Sequence, residues 1–211
     1  MTLGIAIPCY SPHVGFLPYL LEKLNGSTVV PSQVSISISS FDGNLELPNY
    51  DFEVTIVKTS EFGNPCYNRN VAANNLTTDI ISFIDADDLP NLKRNEFILK
   101  CFELGAEIVV HDYHQESNRG SHFYNSDPGQ LNFNKDYIDT INDVNTFPFN
   151  KNIHLAYACG HPSLTKNIFN KIKYDESIGN QPGEDGKFLK SLVINGYKIS
   201  HINNKLSQYI I

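Results

Sequence analysis

The chain is sparing with cysteine and spaces it widely. Its four cysteines, at positions 9, 66, 101 and 159, form no CxxC pair. That removes the usual zinc-ligand spacing and a thioredoxin-type redox site. A reduced, cytosolic protein is the default expectation, with Cys66 a small buried filler. Lys and Arg form no long cluster and the formal charge is −7, so binding nucleic acid by phosphate neutralisation is not expected. No apolar run approaches the ~18 residues of a membrane span. The N-terminal Met1–Pro8 stretch has no basic leader and reads as a first strand. No GxGxxG follows that strand, which argues against a dinucleotide cofactor, and no HExxH is present among the seven histidines. Gly179–Lys187 has the wrong glycine spacing for a phosphate loop, and it sets Glu184 and Asp185 where free amides would be needed.

What remains is an ordinary globular composition, 41% hydrophobic and 18% charged over 211 residues, enough for one sizeable domain. Apolar runs predict strands at Leu3–Pro8, Val34–Ser39, Glu53–Thr59, Ile80–Ile84 and Glu107–His111. Helical spacing predicts helices at Phe16–Leu24, Asn64–Asn75 and Asn91–Leu104. This alternation implies βαβ units and a mostly parallel sheet flanked by helices, an α/β fold. From Gln115 to Asn152 the chain is rich in Asn, Asp, Ser and Tyr and reads as a long surface loop. Structure is expected to resume as a strand at Leu155–Cys159, helices at Thr165–Ile172 and Glu184–Asn195, and a last strand at Tyr197–Ile202.

The most informative segment is Ile80–Asp88, a strand that runs straight into Asp85, Asp87 and Asp88. Alternation along an extended segment points Asp85 and Asp87 to one side. Paired carboxylates at a strand's carboxyl end suit Mg²⁺ or Mn²⁺ shared with substrate phosphates. A solvated acidic turn ahead of Pro90 fits the same residues, and both readings stand on this segment alone.

Ligands of open parallel sheets bind beyond the carboxyl ends of strands, where two further segments lie. Pro8-Cys-Tyr10 follows the first strand, and Gly63 through Arg69-Asn70 opens a helix. Tyr10 could stack on a base and Arg69 could pair with phosphate or carboxylate; a turn aromatic and a surface arginine are the plainer alternatives. Glu184 and Asp185 begin a late helix, where carboxylates favour the macrodipole, or else one of them serves as a general base. His161, in a Gly-flanked turn, is a candidate substrate contact. A haloacid-dehalogenase-type phosphatase would also place DxD after a strand, but Leu89 stands where its Thr or Val belongs.

Taken in order, Pro8-Cys-Tyr10, Gly63…Arg69-Asn70-Val-Ala72, Thr78-Asp79…Asp85-Ala-Asp-Asp88, Tyr174-Asp-Glu176, Glu184-Asp…Phe188 and Gly196-Tyr-Lys-Ile199 resemble a GT-A fold nucleotide-sugar glycosyltransferase of the family 2 type. The match covers most of the chain outside 115–152. The resemblance implies an inverting transfer from a UDP-sugar or other NDP-sugar donor to a glycan or glycoprotein acceptor, with Mn²⁺ or Mg²⁺ as cofactor. It implies that Asp87, with Asp85, holds the metal, Asp88 supporting, and that Asp185 is the base, Glu184 its substitute. Pro8, Tyr10, Arg69, Asp85, Ala86, Asp87 and His161 would line the nucleotide-sugar site. Family members often carry Asp-Asp after the second strand for the base; here Ser39-Ser40-Phe-Asp42 stands there, making Ser39 and Asp42 candidates only. A metal-binding His common beyond Gly-Tyr-Lys-Ile has no counterpart, since His201 comes too early. Residues 1–113 would form the donor half and 114–211 the acceptor half of one GT-A domain, expected to belong to a longer protein. A sugar-nucleotide binding module without catalysis, and a nucleotidyltransferase, are the alternatives; the latter lacks its Gly-rich first loop.

Overall fold

The apolar run Leu3–Tyr10 becomes strand β1, buried up to its last residue because it has neighbours on both edges. The computed structural model describes residues 1–116, 121–138, 161–178 and 183–210. Strands β2 (Gln33–Ser39) and β4 (Ile80–Phe83) flank β1 in parallel, and β3 (Glu53–Thr59) continues the parallel set beyond β2. Alternation sorts β1's side chains between two cores. Leu3, Ile5, Ile7 and Cys9 pack with helices α1 (Leu17–Asn25) and α3 (Arg94–Glu103). Ala6 packs on the other side with α2 (Pro65–Asn74), α5 (Lys166–Lys171) and α6 (Glu184–Ile194). The result is a sheet with a helical layer on each face. In α1 the buried residues are Leu17, Leu20, Leu21 and Leu24, an i, i+3, i+4, i+7 stripe.

Beyond β4 the pairing is mixed. The order is β3-β2-β1-β4-β8-β6-β9-β5, with β7 also on β9. Strand β8 (Ser163–Thr165) enters antiparallel between β4 and β6 (Ile108–Glu116). The last strand, β9 (Ile199–Ile210), is parallel to β6 and takes β5 (Leu89–Pro90) and β7 (Phe133–Ile138) antiparallel on its other edge. The expected mostly parallel character therefore holds for β1–β4 and gives way past them.

Two expectations change. Part of the 115–152 stretch is ordered, as the end of β6, the short helix α4 (Ser121–Asn125) and β7. The last strand reaches Ile210 rather than stopping at Ile202. Both segments are polar (Phe-Asn-Lys-Asp-Tyr-Ile, and Asn-Asn-Lys before Leu206). Backbone pairing, not apolar alternation, makes them strands. The strand expected at Leu155–Cys159, with Cys159 itself, and residues 117–120 and 139–152 of the expected loop lie outside the described residues.

Motif residues do structural work here. Asp79 accepts hydrogen bonds from the backbone N–H and hydroxyl of Thr2, at 2.7 and 3.1 Å, fixing the start of β1 beside β4. Gly196 has φ +86° and ends α6: its N–H bonds Val193 O, while Tyr197 N–H reaches back to Leu192 O, the Schellman pattern. Cys9, Cys66 and Cys101 are buried free thiols. Among the described residues no helix is long and apolar enough to cross a membrane.

Arg94 is the largest fully buried side chain. Its Nη2 donates to Phe83 O at 2.8 Å and its Nε to His111 Nε2 at 3.0 Å. His111 Nδ1 is then the protonated nitrogen, donating to Asp112 O at 2.9 Å. Burial pushes the Arg94 pKa down to about 9. Arg94 thus supports the last residue of β4 from beneath. Replacing it by alanine strands two buried acceptors, so Arg94→Ala should lower unfolding free energy by about 2–4 kcal/mol in urea titrations. A loss under about 0.5 kcal/mol would contradict this role.

Candidate active site

A cavity of about 410 Å³ opens beyond the carboxyl ends of β1 and β4, lined by Pro8, Tyr10, Arg69, Asp85, Asp87 and Glu184 among others. Strand order changes direction at β1, the usual position for a ligand crevice in such sheets. Pro8 interrupts no β1–β4 pairing, because the ladder between them ends at Ala6–Phe83. At one end two aromatic rings meet edge to face: Tyr10 and Phe62, centroids 5.9 Å apart at 79°. They are 43% and 58% exposed, so an apolar surface is held open to solvent. Gly63 beside them has no room for a side chain, since a Cβ would collide with the Tyr67 ring.

Arg69 dominates the interior. Its side chain is 4% exposed and touches three carboxylates: Asp85 at 2.9 Å, Asp185 at 3.1 Å and Glu184 at 3.2 Å. The guanidinium lies over the Tyr174 ring, 5.4 Å from its centroid, and that ring stacks on Phe188 of α6 at 3.9 Å. The neighbouring Asn70 fixes the same region: its amide donates to Tyr174 O and Glu176 Oε1, and it accepts from Tyr174 N–H at 3.1 Å. Asn64 caps α2 and also donates to Glu176 O at 2.9 Å. The Arg-Asn and Tyr-Asp-Glu motifs are thus two halves of one joint.

One guanidinium cannot neutralise three buried carboxylates. Burial raises the Asp185 pKa to about 7, helped by Asp85 and Glu184 and only partly opposed by Arg69. Asp85 is also raised, first by burial. Arg69 itself is held well above its ordinary value by the same neighbours.

The acidic turn continues this pattern. Asp88 N–H bonds Asp85 O, so residues 85–88 form a turn rather than an extended strand. Asp85 and Asp87 both still line the cavity, Asp87 with His13 Nδ1 at 3.7 Å. Asp88 instead points inward, its Oδ2 2.8 Å from His161 Nε2. His161 Nε2 lies 3.3 Å from the Asp85 N–H, and Nδ1 lies 2.9 Å from Ser207 Oγ. Burial lowers the His161 pKa to about 4. The neutral ring accepts from Asp85 at Nε2, so Nδ1–H faces Ser207. Asp88 then meets Nε2 lone pair to lone pair unless a proton or cation stands between them. Ligand atoms of Asp85, Asp88 and His161 lie within 4.8 Å of one another, a group able to hold a metal ion.

Several expected site residues are placed otherwise. The sequence expects an ion on Asp85 and Asp87; both line the cavity, while the ligand atoms close enough to share one ion belong to Asp85, Asp88 and His161. Arg69 is occupied by carboxylates and is not a surface arginine. Ser39 is buried beneath the cavity, donating to Gly63 O and accepting from Asn68 Nδ2. Ala86 packs in the core, and Asp42 lies outside the cavity wall. His161 stands behind the acidic turn rather than in the wall. Phe62 and Tyr209 line the cavity and were not singled out. Phe62 sits in a loop without periodicity, and Tyr209 lies in the polar extension of β9.

The whole chain superposes on S. aureus TarS. With residues 1–349 of TarS in complex with UDP the TM-score is 0.70 at 13% identity, covering 100% of this chain and 61% of that one. With the UDP-GlcNAc complex it is again 0.70 at 13% identity, covering 100% and 59%. The chain spans about three fifths of the length of those structures. The fold is GT-A, one central sheet flanked by helices. No family model and no curated protein sequence matches the chain.

Removing Arg69 tests the charge argument. Without it Asp185 and Asp85, already raised above their ordinary values, would hold their protons to still higher pH, so the cost of ionising them in the folded chain grows as pH rises. Arg69→Met should lose about 3 kcal/mol of stability at pH 8 and distinctly less at pH 5, read from urea midpoints. An equal loss at both pH values would contradict the shared-counterion account.

Proposed function

We propose that this chain transfers a sugar from a nucleoside-diphosphate sugar, a UDP-sugar in the first instance, to a hydroxyl of a glycan or glycoprotein, with inversion. The observation that carries this is the lining of one cavity, which combines an exposed aromatic pair with carboxylates around a single buried arginine. TarS, whose fold the chain shares, is seen bound to UDP and UDP-GlcNAc. The reading makes Tyr10 and Phe62 the base platform, with stacking worth about 1–3 kcal/mol. Residues 1–113 supply most of the donor side and 114–211 the acceptor side, with His161 and the end of β9 reaching back to the donor turn.

The residues present fit a divalent cation. Asp88 Oδ2 and His161 Nε2, 2.8 Å apart, have the spacing of neighbouring octahedral ligands, about 3 Å for bonds near 2.1 Å, and carboxylates with an imidazole suit Mn²⁺. Asp85, Asp88 and His161 would hold it, with Asp87 facing the diphosphate side. When bound, the ion supplies positive charge against the departing diphosphate.

The chain's own groups do the rest. Asp185 takes the proton from the acceptor hydroxyl as that oxygen forms its bond to the anomeric carbon. The bond to the diphosphate breaks, and its electron pair leaves with the diphosphate. A base with a pKa of about 7 is matched to work near neutral pH. Arg69 keeps Asp185, Glu184 and Asp85 in register, so base and donor turn move as one unit. Glu184 lines the cavity beside Asp185 and is the alternative base.

Transfer, or slow UDP-sugar hydrolysis without acceptor, should require Mn²⁺ or Mg²⁺ and stop with EDTA. Asp185→Asn should keep UDP affinity while losing roughly 10²–10⁴-fold in turnover; loss confined to Glu184→Gln would reassign the base. Asp185 must be ionised to accept a proton, so wild-type turnover should rise as pH climbs through about 7. Binding of UDP-sugars with no turnover under any metal would replace transfer by simple binding.

A further inference from the structure

The donor site is rich in acceptors where a diphosphate needs donors. Asp85, Asp87 and Glu184 carry carboxylate oxygens, and the Arg69 guanidinium pairs with Asp85, Asp185 and Glu184. Of the other polar groups in the wall, the Asn68 amide donates to Ser39 and Gly63 O, and His13 lies beside Asp87. Tyr209, from the last strand, stands in the same wall.

Its position follows from strand pairing. The two-residue strand β5 directly follows the acidic turn and pairs antiparallel with β9, Leu89 opposite Gln208 and Pro90 opposite Ser207. One step further along that register brings Asp88 beside Tyr209. Alternation along β9 puts Ser207 and Tyr209 on one face. Ser207 Oγ is 2.9 Å from His161 Nδ1, so that face is the one turned to the acidic turn. The Tyr209 ring packs edge to face on Tyr113 of β6, centroids 6.1 Å apart at 70°. The ring is thereby braced although Tyr209 is 47% exposed.

We propose that Tyr209 is a donor-contact residue whose phenol hydroxyl binds the diphosphate of the nucleoside-diphosphate substrate. The proposal rests on the donor reading of the cavity and adds the C-terminal strand as its second wall. A phenol is neutral near pH 7 and donates a hydrogen bond, the form a diphosphate needs. β9 thus serves the site twice, Ser207 orienting His161 and Tyr209 meeting the substrate.

Calorimetric titration with UDP and with uridine, both in the presence of Mn²⁺, separates a phosphate contact from a base or packing role. Tyr209→Phe keeps the ring and its packing on Tyr113 and removes only the hydroxyl. It should weaken UDP binding roughly tenfold while leaving uridine binding and the melting temperature of the free protein unchanged. Unchanged UDP affinity in Tyr209→Phe would overturn the assignment. So would an equal weakening of UDP and uridine, which would make the ring's contribution one of shape. Failure of the wild-type chain to bind UDP at all would remove the donor reading, and this inference with it.

Discussion

Everything at this site depends on a single buried guanidinium shared among three carboxylates. Arg69 comes from the helix after β3, Asp85 from the turn after β4, and Glu184 and Asp185 from the first turn of α6. These segments are more than a hundred residues apart at their extremes, and only folding brings them together. The arginine is dry, so its pull on each partner is strong. It is also single, so the cluster keeps an excess of negative charge. Burial first, and the neighbouring carboxylates after it, raise the pKa values of Asp185 and Asp85. This suits a base at the first and a cation at the second.

The same geometry gives neighbouring residues of the acidic turn different surroundings. Asp87 lines the cavity, while Asp88 turns inward to a neutral His161 held by Ser207. A tight turn, rather than an extended strand, is what splits them. The aromatic pair Tyr10–Phe62 shares the cavity wall with Asp87.

Much of the first half of the chain was legible in the sequence because it obeys simple periods. The apolar runs of β1, β2 and β4 and the leucine stripe of α1 announce buried strands and a packed helix, and they fall within a few residues of where they were expected. The order of the motifs gave the fold. What stayed hidden has physical reasons. β5 and β8 are two and three residues long, too short to show a period. β7 and the end of β9 are polar and held by backbone pairing. The Asp88–His161 contact joins residues 73 positions apart, which spacing cannot reveal. A carboxylate partner for Arg69 was one reading of the sequence, but its three partners come from elsewhere in the chain and spacing could not name them. Alternation paired Asp85 with Asp87 because it assumed that the strand continued; the turn brings Asp85 close to Asp88 and His161.

The central claim is that the carboxylate excess around Arg69 gathers a cation beneath a diphosphate. A crystal of the chain grown with UDP and Mn²⁺, read by the anomalous signal of manganese, tests it most directly. The account predicts a manganese peak among Asp85, Asp88 and His161 with the diphosphate against it and the base on Tyr10 and Phe62. Manganese elsewhere, or UDP seated away from that turn, would contradict it.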